Sequence, residues 1–254
     1  MPKASVITPL YNGAAHIVHC IESVAAQTMT DLEHIVIDNN STDDGPSIVR
    51  DLQDKYPHIT LISETAPGPG PARNAGIRHA SGRYIAFLDA DDAWKPAKLS
   101  DQISAMQETG ACFSWTTYDV IKDGAFARIQ GTPSQARYAD LLAKRVTIGC
   151  LTAVYDAELL GKMFMNDLPM RQDYCLWLDI LSEAEARSLP VLGLPRSLAV
   201  YNVHDAGLTA DKRKAARMQW RAYRDHVGLS RVQTARNFAS YALRGVLARL
   251  KPSA

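Results

Sequence analysis

The stretch Arg83–Lys98, RYIAFLDADDAWKPAK, joins an apolar run to a cluster of acids. The run at 84–88 is long enough for one strand, and it ends in Asp89, Asp91 and Asp92. A continuous apolar run predicts a strand covered on both faces, as in a parallel sheet. Ligands of open α/β sheets lie beyond the carboxyl ends of the strands. Acids clustered there indicate a divalent cation, Mn²⁺ or Mg²⁺, that carries a diphosphate. The alternative is that Asp91 or Asp92 only caps the next helix.

Upstream of this stretch, short strands and helices alternate. Strands are predicted at 4–8, where Pro9 ends the first one, at 34–37 and at 59–62, with a helix after each. Gly68-Pro69-Gly70-Pro71 reads as a rigid loop before a helix at 72–80. This alternation predicts an α/β fold with a doubly wound, mostly parallel sheet flanked by helices.

Downstream of it the pattern is less regular. Strands are predicted at 111–118, 151–155 and 191–201, and helices at 139–142 and after Asp173. Residues 211–250 predict two basic helices broken near Gly228. The predicted division is a catalytic domain at 1–208 and a basic helical extension at 209–254. Within the domain, residues 1–110 and 111–208 are expected to form two halves.

Charge is distributed unevenly along the 254 residues. The chain has 28 Lys and Arg and 27 Asp and Glu, but residues 211–254 hold eleven basic and two acidic side chains. Such a tail suits either contact with anionic lipids or packing against the acidic body, and both stay open. No nucleic-acid-binding motif accompanies the charge, so no nucleic acid partner is expected.

The spacing of the cysteines and the hydropathy of the chain indicate where in the cell the protein is located. The four cysteines are far apart and form no C-x-x-C pair, which favours reduced, apolar roles. No run of eighteen apolar residues occurs. We therefore expect a cytoplasmic protein, with peripheral contact at the inner face of the cytoplasmic membrane left open.

Polar residues follow several of the predicted strands. Tyr11 follows the first and Asp38 the second, and an aromatic ring beside a carboxylate can hold a nucleoside. Arg73, in the first turn of the predicted helix, suits an anion. Asp173 opens an amphipathic helix, either as an N-cap or as a general base. His204 lies in a loop, where an imidazole is usually without function but can bind a metal.

Four segments together resemble a known family. VITPLYNG, VIDNNSTDDG, GPARNAGIRHASGRYIAFLDADD and QDYCLWLDIL resemble the family 2 inverting glycosyltransferases of GT-A fold, with the resemblance closest to bacterial enzymes of capsule, teichuronic acid and lipopolysaccharide assembly. It covers about residues 3–205. It implies a Rossmann-like nucleotide-diphosphosugar domain, with a nucleotide-binding half at 1–110 and an acceptor-binding half at 111–208. It also implies transfer of a sugar to a hydroxyl of a glycan or polyprenyl-linked acceptor. A UDP-sugar is the commonest donor, and guanosine or thymidine donors fit equally well.

The resemblance also implies roles for individual residues. Asp173 corresponds to the catalytic base, and Asp91 and His204 to metal ligands. Gln172 and Trp177 are expected to contact the acceptor. Gln172 replaces the Glu common before the base, and Cys175 replaces an Asp often seen after it. The nucleotide-sugar site is expected to comprise Pro9, Tyr11, Asp38, Arg73, Asp89, Ala90 and Gly149.

Two other functions compete with a glycosyltransferase. A sugar-nucleotide pyrophosphorylase shares the architecture, but it would need a Gly-rich loop with an Arg after the first strand, and residues 11–15 lack one. A catalytically silent assembly subunit that binds a sugar nucleotide is the other alternative. The joint presence of Asp91, Asp173 and His204 argues against it.

Overall fold

The computed structural model describes residues 2–203 and 211–250. Its first half alternates strands with helices, as the sequence predicts. The elements are β1 (Ala4–Leu10), α1 (Ile17–Ala25), β2 (Leu32–Asp38), α2 (Gly45–Lys55), β3 (Ile59–Ser63), α3 (Pro69–His79), β4 (Tyr84–Phe87), β5 (Ala93–Trp94) and α4 (Lys98–Thr109).

The second half contains longer strands and two helices after the last strand. Its elements are β6 (Phe113–Lys122), β7 (Ala125–Gln130), α5 (Tyr138–Leu142), β8 (Val154–Asp156), α6 (Ala157–Leu160), α7 (Gln172–Ala186), β9 (Val191–Val203), α8 (Lys212–Arg221) and α9 (Arg231–Leu250). A 3₁₀ turn at Cys150–Thr152 replaces the start of the strand predicted at 151–155, and a π-helical turn, Ala222–His226, continues α8.

One sheet of the described residues contains nine strands. Eight lie in the order β3-β2-β1-β4-β8-β6-β9-β5, and β7 pairs with β6 at the side. Strands β1 to β4 are parallel to one another, whereas β8 is antiparallel to both β4 and β6. Strands β6 and β9 are parallel again. The predicted α/β sheet is therefore confirmed, with its regular parallel part in the first half.

Pro9 does not end the first strand, contrary to the prediction. The strand continues to Leu10, which pairs with Asp38 at the end of β2. Ile7 accepts a hydrogen bond from Leu88 N, while Leu10 accepts one from Asn39 N. Alternate residues thus face β4 and β2, and Pro9 faces the side where β4 has already ended. A proline without an N–H is tolerated at that position.

The predicted Gly-Pro-Gly-Pro loop is mostly helix. Helix α3 begins at Pro69, directly after Gly68, whose φ is 112°. The first-turn N–H groups of a helix have no partner within it, so prolines there cost no hydrogen bond. Arg73 consequently lies in the second turn rather than the first.

The core occupies both faces of the sheet. Neighbouring strand residues such as Val6 and Ile7, or Ala86 and Phe87, belong to different apolar clusters because successive side chains point to opposite faces. The cluster that contains Ile7 also contains Tyr223, from the π-helical turn after α8. The described part of the basic tail therefore packs on the body.

Candidate active site

The acid cluster forms a tight turn after β4. Asp92 N donates a hydrogen bond to Asp89 O at 3.0 Å. Asn202, near the end of β9, donates from its backbone N to Asp92 Oδ1 at 3.0 Å and from its side chain to Asp91 O at 2.6 Å. The second half of the chain thus fixes the acidic turn. Asn202 was not among the predicted site residues, because no local pattern in the sequence links it to residue 92.

The charges in this turn repel one another. Burial raises the pKa of Asp92 well above its usual range, and the charges of Asp89 and Asp91 raise it further. Carboxylate oxygens are the ligands that Mg²⁺ and Mn²⁺ prefer, so the donor set fits such a cation. Within residues 2–203 and 211–250, no group of three His, Cys, Asp or Glu side chains could hold a metal. His204 lies outside the described residues.

Arg73 reaches from α3 to this turn. Its Nη2 donates to Asp89 Oδ1 in an ion pair, and only 6% of the residue is exposed. Burial alone would lower the pKa of the guanidinium, but the charge and hydrogen bond of Asp89, together with the charges of Cys150 and Asp173, raise it above its ordinary value. The Nε of Arg73 is buried and has no hydrogen-bond partner. The anion contact expected of Arg73 stays a prediction.

Asp173 approaches the same group from the opposite half of the chain. It lies in the first turn of α7, and its charge raises the pKa of Arg73. Cys150 lies among these charges: burial raises the pKa of its thiol well above the usual range, Arg73 lowers it, and Asp89 and Asp173 raise it. The fold thus brings Arg73, Asp89, Cys150 and Asp173 together. Of these, only Cys150 was not among the predicted site residues.

Gly149 precedes the 3₁₀ turn that carries Cys150. Its carbonyl accepts from Thr152 N at 2.9 Å and from Thr152 Oγ1 at 2.7 Å. A Cβ at residue 149 would come within 3.1 Å of Leu151 and 3.3 Å of the Tyr118 ring. The close packing explains a glycine here and keeps the turn against the site.

Lys98, at the end of the acidic stretch, was also not among the predicted site residues. It is fully buried, and its ammonium lies 3.9 Å from the centroid of the Trp94 ring. Burial lowers its pKa well below the ordinary value, while Cys150 acts in the opposite direction. The Trp94 indole donates to Leu151 O at 2.8 Å. Lys98 and Trp94 together support the turn that holds Cys150.

The two predicted acceptor contacts are both buried. Trp177 is 1% exposed, and its ring packs on Phe113 and Phe87 with centroids 5.2 and 5.9 Å away. An acceptor cannot reach it, so that prediction is wrong and Trp177 is a core residue. Gln172 is 4% exposed and packs against Gly70, where a Cβ would lie 3.2 Å from its Cγ. Its place beside α3 favours a positioning role over acceptor contact.

The predicted nucleoside residues lie at the ends of β1 and β2. Tyr11 follows β1 and is 65% exposed, a free face for stacking. Asp38 ends β2, and its Oδ1 accepts from Ser41 N at 3.0 Å. Pro9 lies two residues before Tyr11 in β1, paired with Ile37. Ala90 lies next to Gly13, where a Cβ would be 3.5 Å from the Ala90 Cβ.

Asn39 links this edge to the helix that carries Arg73. Its amide donates to Glu64 O at 2.7 Å and to Ala66 O at 2.8 Å, and its Oδ1 accepts from Gly68 N at 2.7 Å. The side chain is buried, and its hydrogen bonds satisfy backbone groups in the loop before α3. Asn39 is adjacent to Asp38 in the sequence, yet nothing there indicates its partners.

Comparison with known proteins identifies the family. Residues 5–160 match the model of Glycosyl transferase family 2. A putative teichuronic acid biosynthesis glycosyltransferase, TuaG of Bacillus subtilis (strain 168), is 34% identical over 253 residues, which cover 98% of each chain. The chain belongs to glycosyltransferase family 2. It is therefore a transferase, and the predicted family resemblance is confirmed.

A further relative has a more specific name. The glucosyltransferase WfgD of Escherichia coli, named as a UDP-Glc:alpha-D-GlcNAc-diphosphoundecaprenol beta-1,3-glucosyltransferase, is 34% identical over 88% of this family 2 chain and 86% of its own.

Solved structures agree on the fold of this glycosyltransferase. S. aureus TarS 1-349 in complex with UDP-GlcNAc superposes with a TM-score of 0.71 at 19% identity, covering 94% of this chain and 71% of its own. The mannosyltransferase PcManGT from Pyrobaculum calidifontis, in complex with GDP-Man and Mn²⁺, gives 0.65 at 20% identity, covering 100% and 76%. The predicted GT-A fold is confirmed. Among the described helices, none is both long and apolar enough to span a membrane.

Proposed function

We propose that this family 2 enzyme transfers a sugar from a nucleoside diphosphate sugar, with UDP as the favoured nucleotide, to a hydroxyl of a glycan or polyprenyl-linked acceptor, and inverts the anomeric centre. The reaction would serve bacterial surface polysaccharide synthesis. The observation that carries the proposal is the ion pair of the buried Arg73 with Asp89, together with Asp173, whose charge also raises the pKa of the guanidinium. Two acids that act on one cation suit a reaction with separate donor and acceptor carboxylates.

The two acids have different tasks in this proposal. Asp173 accepts the proton of the acceptor hydroxyl as that oxygen attacks the anomeric carbon, which is general base catalysis. Arg73 stabilises the negative charge that develops on the departing diphosphate. Glycosidases place two carboxylates about one bond, whereas here one acid serves the donor and the other the proton. A single displacement then inverts the anomeric centre.

The oxygen donors of the acidic turn suit a divalent cation. Asp91, with His204, would hold Mn²⁺ or Mg²⁺, and Asp89 would contact the nucleotide. The cation would add Lewis acid neutralisation of the diphosphate. Tyr11 and Asp38 would hold the nucleoside through its base and ribose, and Gly149 would lie beside the donor sugar. PcManGT is described with Mn²⁺ and GDP-Man, and TarS with UDP-GlcNAc, which supports both the cation and the donor class.

The first experiment is a donor screen with a matched pair of variants. UDP-, GDP-, dTDP- and CDP-sugars are each tested for binding by thermal shift, with Mn²⁺, with Mg²⁺ and with chelator. Transfer is measured as nucleoside diphosphate release with an extract of lipid-linked oligosaccharides as acceptor. We expect Asp173→Asn to lower turnover about 10²- to 10⁴-fold and to leave donor affinity within about twofold.

The control is Asp167→Asn, an equal change of charge at an exposed position before the same helix. It should keep turnover within about twofold. Near-normal turnover of Asp173→Asn would exclude Asp173 as the base. Binding of a donor without release of nucleotide under any condition would favour the catalytically silent assembly subunit.

The outer face of the tail supports a peripheral membrane contact on the cytoplasmic side. Exposed residues include Trp220, 37% exposed, and Val232, 80% exposed. Basic side chains surround them, and tails of this composition bind anionic lipid surfaces. The exposed basic residues are Arg213, Lys214, Arg217, Arg221, Arg231 and Arg236.

Sedimentation with vesicles tests this contact. Phosphatidylglycerol vesicles should retain the protein at low salt, and phosphatidylcholine vesicles should not. Arg231→Gln combined with Arg236→Gln should weaken retention, whereas Arg128→Gln in the distant strand β7 should not. Equal retention of all three proteins would refute the contact.

A further inference from the structure

Two cations lie next to Asp173 on the acceptor half of the molecule. Lys144 follows α5, and Arg171 immediately precedes α7. Both have left-handed backbone conformations, with φ of 55° and 72°, which are uncommon for residues other than glycine. Both side chains are partly buried. Arg171 lies two residues before Asp173, and Lys144 lies in the turn that follows α5.

Each cation contacts an aromatic ring. The Lys144 ammonium lies 3.8 Å from the centroid of the Tyr174 ring, and the Arg171 guanidinium lies 5.9 Å from that of Tyr241. Arg171 also donates to the Tyr241 hydroxyl at 3.4 Å, and its Nε is buried without a partner. Ring contacts hold these side chains in place without neutralising their charge.

The two positive charges act on each other. Burial and the charge of Arg171 lower the pKa of Lys144 to about 7, while Asp173 raises it. The lysine therefore loses much of its ordinary preference for the charged form in the free protein. An anion bound between the two cations would remove that repulsion and restore the charge.

The position of Asp173 indicates which substrate this pair faces. The charge of Asp173 acts on Arg73, which is paired with Asp89 at the proposed diphosphate site of the donor. The same carboxylate acts on Lys144. Lys144 also contacts Tyr174, the residue after Asp173, and Arg171 lies two residues before Asp173, so both cations flank the start of α7. Because a general base must face the acceptor hydroxyl, we expect the cations that flank it to face the acceptor.

The C-terminal helices hold this region in place. Tyr223 donates from its hydroxyl to Leu142 O at 3.0 Å, and Ser240 Oγ donates to Ala143 O at 2.9 Å. These bonds fix the turn that leads into Lys144, and Tyr241 fixes Arg171. The pair is therefore built by three separate parts of the chain. This preorganisation suits a binding site.

We propose that Lys144 and Arg171 form an acceptor subsite for the diphosphate that links the acceptor sugar to an isoprenoid lipid. This inference rests on the proposed function, which includes a polyprenyl-linked acceptor. Arginine presents a planar fork that matches phosphate oxygens, and lysine adds a compact charge. The exposed basic face of the tail, on the helix that carries Tyr241, would place the lipid chain near a membrane.

Binding of farnesyl diphosphate tests the subsite. Titration calorimetry is done on the full chain with saturating UDP and Mn²⁺, so that the donor site is occupied. We expect Lys144→Met to weaken binding about tenfold or more, because a charged hydrogen bond is lost. Lys144→Arg should bind within about threefold of the wild type. The control Arg145→Met, an adjacent exposed cation, should bind within about twofold.

Proton uptake provides a readout that a merely structural role would not change. At about pH 8, Lys144 is mostly neutral in the free protein and becomes charged when an anion binds, so binding takes up protons. Calorimetric titrations in two buffers of different ionisation enthalpy measure the number of protons taken up on binding. The wild type should take up more protons than Lys144→Arg, whose guanidinium stays charged.

Three results would overturn the subsite. These are no binding of farnesyl diphosphate by the wild type, equal affinity of Lys144→Met and wild type, or complete displacement by UDP, which would place the ligand in the donor site. Farnesol should bind much more weakly, and inorganic pyrophosphate should compete. Failure of the proposed function would instead appear as no binding of any donor sugar, which does not involve Lys144.

Discussion

The two halves that we propose to bind donor and acceptor, residues 1–110 and 111–203, are held together in different ways, and we call them the donor half and the acceptor half. In the donor half, parallel strands end at one edge, and bonds between neighbouring loops, such as those of Asn39, place Asp38 and Asp89. In the acceptor half, the strands are mixed in direction, and side chains from the tail hold the turn before Lys144. The Tyr223–Leu142 and Ser240–Ala143 bonds join residues 81 and 97 positions apart.

The difference concerns local stability as well as geometry. Contacts between distant residues form only after a large loss of chain entropy, so they stabilise a region that has little order of its own. Regions with this kind of support open at lower free energy than the central strands of a core. We infer that the donor site is rigid before substrates bind, whereas the acceptor site depends on the docked tail.

The largest expected effect comes from Tyr223→Ala. Tyr223 is fully buried, it packs against Tyr174 with ring centroids 6.5 Å apart, and its hydroxyl holds Leu142. Removing the ring should lower the free energy of unfolding by about 3–5 kcal/mol, through lost burial and a cavity. Chemical denaturation measures the loss.

Hydrogen exchange of the Tyr223→Ala variant shows whether the two halves differ in local stability. Amides of α5 and α7 should exchange faster, whereas those of β1 and β2 should change little, and UDP should bind within about threefold. Tyr223→Phe is the matched control and should cost about 1 kcal/mol, the value of one hydrogen bond. Equally faster amide exchange in both halves would contradict the inference that only the acceptor half depends on the docked tail.

An intermediate effect is expected from Asn39→Ala, in the donor half. The substitution removes three hydrogen bonds and leaves buried backbone groups near Gly68 without partners. We expect a loss of about 2–3 kcal/mol in unfolding free energy and weaker UDP binding, because the loop before α3 positions Arg73.

The neighbouring residue supplies the control for this prediction. Asn40 is exposed and has a φ of 64°, which glycine adopts readily, and Asn40→Gly removes only exposed hydrogen bonds of its amide, to Thr65 O at 3.1 Å and Glu64 O at 3.5 Å. It should change stability by less than about 0.5 kcal/mol. If Asn39→Ala and Asn40→Gly behave alike, the loop is not what positions the donor site.

The sequence predicted the donor half well, because that half obeys local rules. Apolar runs gave the strands, and parallel strands bring their carboxyl ends to one edge, so Asp38 and Asp89 follow from position alone. The errors were in proline chemistry. Pro9 lies within a strand, and Pro69 begins a helix. Proline is tolerated at both positions because an N–H there would have no hydrogen-bond partner in the sheet or the helix.

The acceptor half was predicted less completely. Strand β7 was missed, although Asp123-Gly124, with φ of 52° and 75°, is a strong hairpin signal in the sequence. Trp177 has helical spacing that fits both a core and a binding face, and only the fold shows it buried. Asn202 and Lys144 act through partners that are distant in sequence, so no local pattern could indicate them.

The smallest expected effect concerns His226, on the π-helical turn of the tail. Its Nε2 lies 2.9 Å from Asp179 Oδ1, on the same helix as Asp173. The hydrogen bond to Asp179 raises the pKa of His226 above the ordinary value of 6.5, although burial opposes this. A raised folded pKa means that the stabilisation is fully present below about pH 6.5 and is lost as pH rises through the folded pKa.

His226→Gln should therefore melt roughly 1–3 °C below the wild type at about pH 5.5, because partly exposed ion pairs contribute at most about 1 kcal/mol, and the two proteins should converge at about pH 8.5. The exposed His19→Gln should melt like the wild type at both pH values. A difference that persists at the higher pH would mean that His226 stabilises by packing rather than by charge. Convergence would show that the acceptor half loses one tail contact as pH rises, whereas the amide hydrogen bonds of Asn39 in the donor half do not titrate.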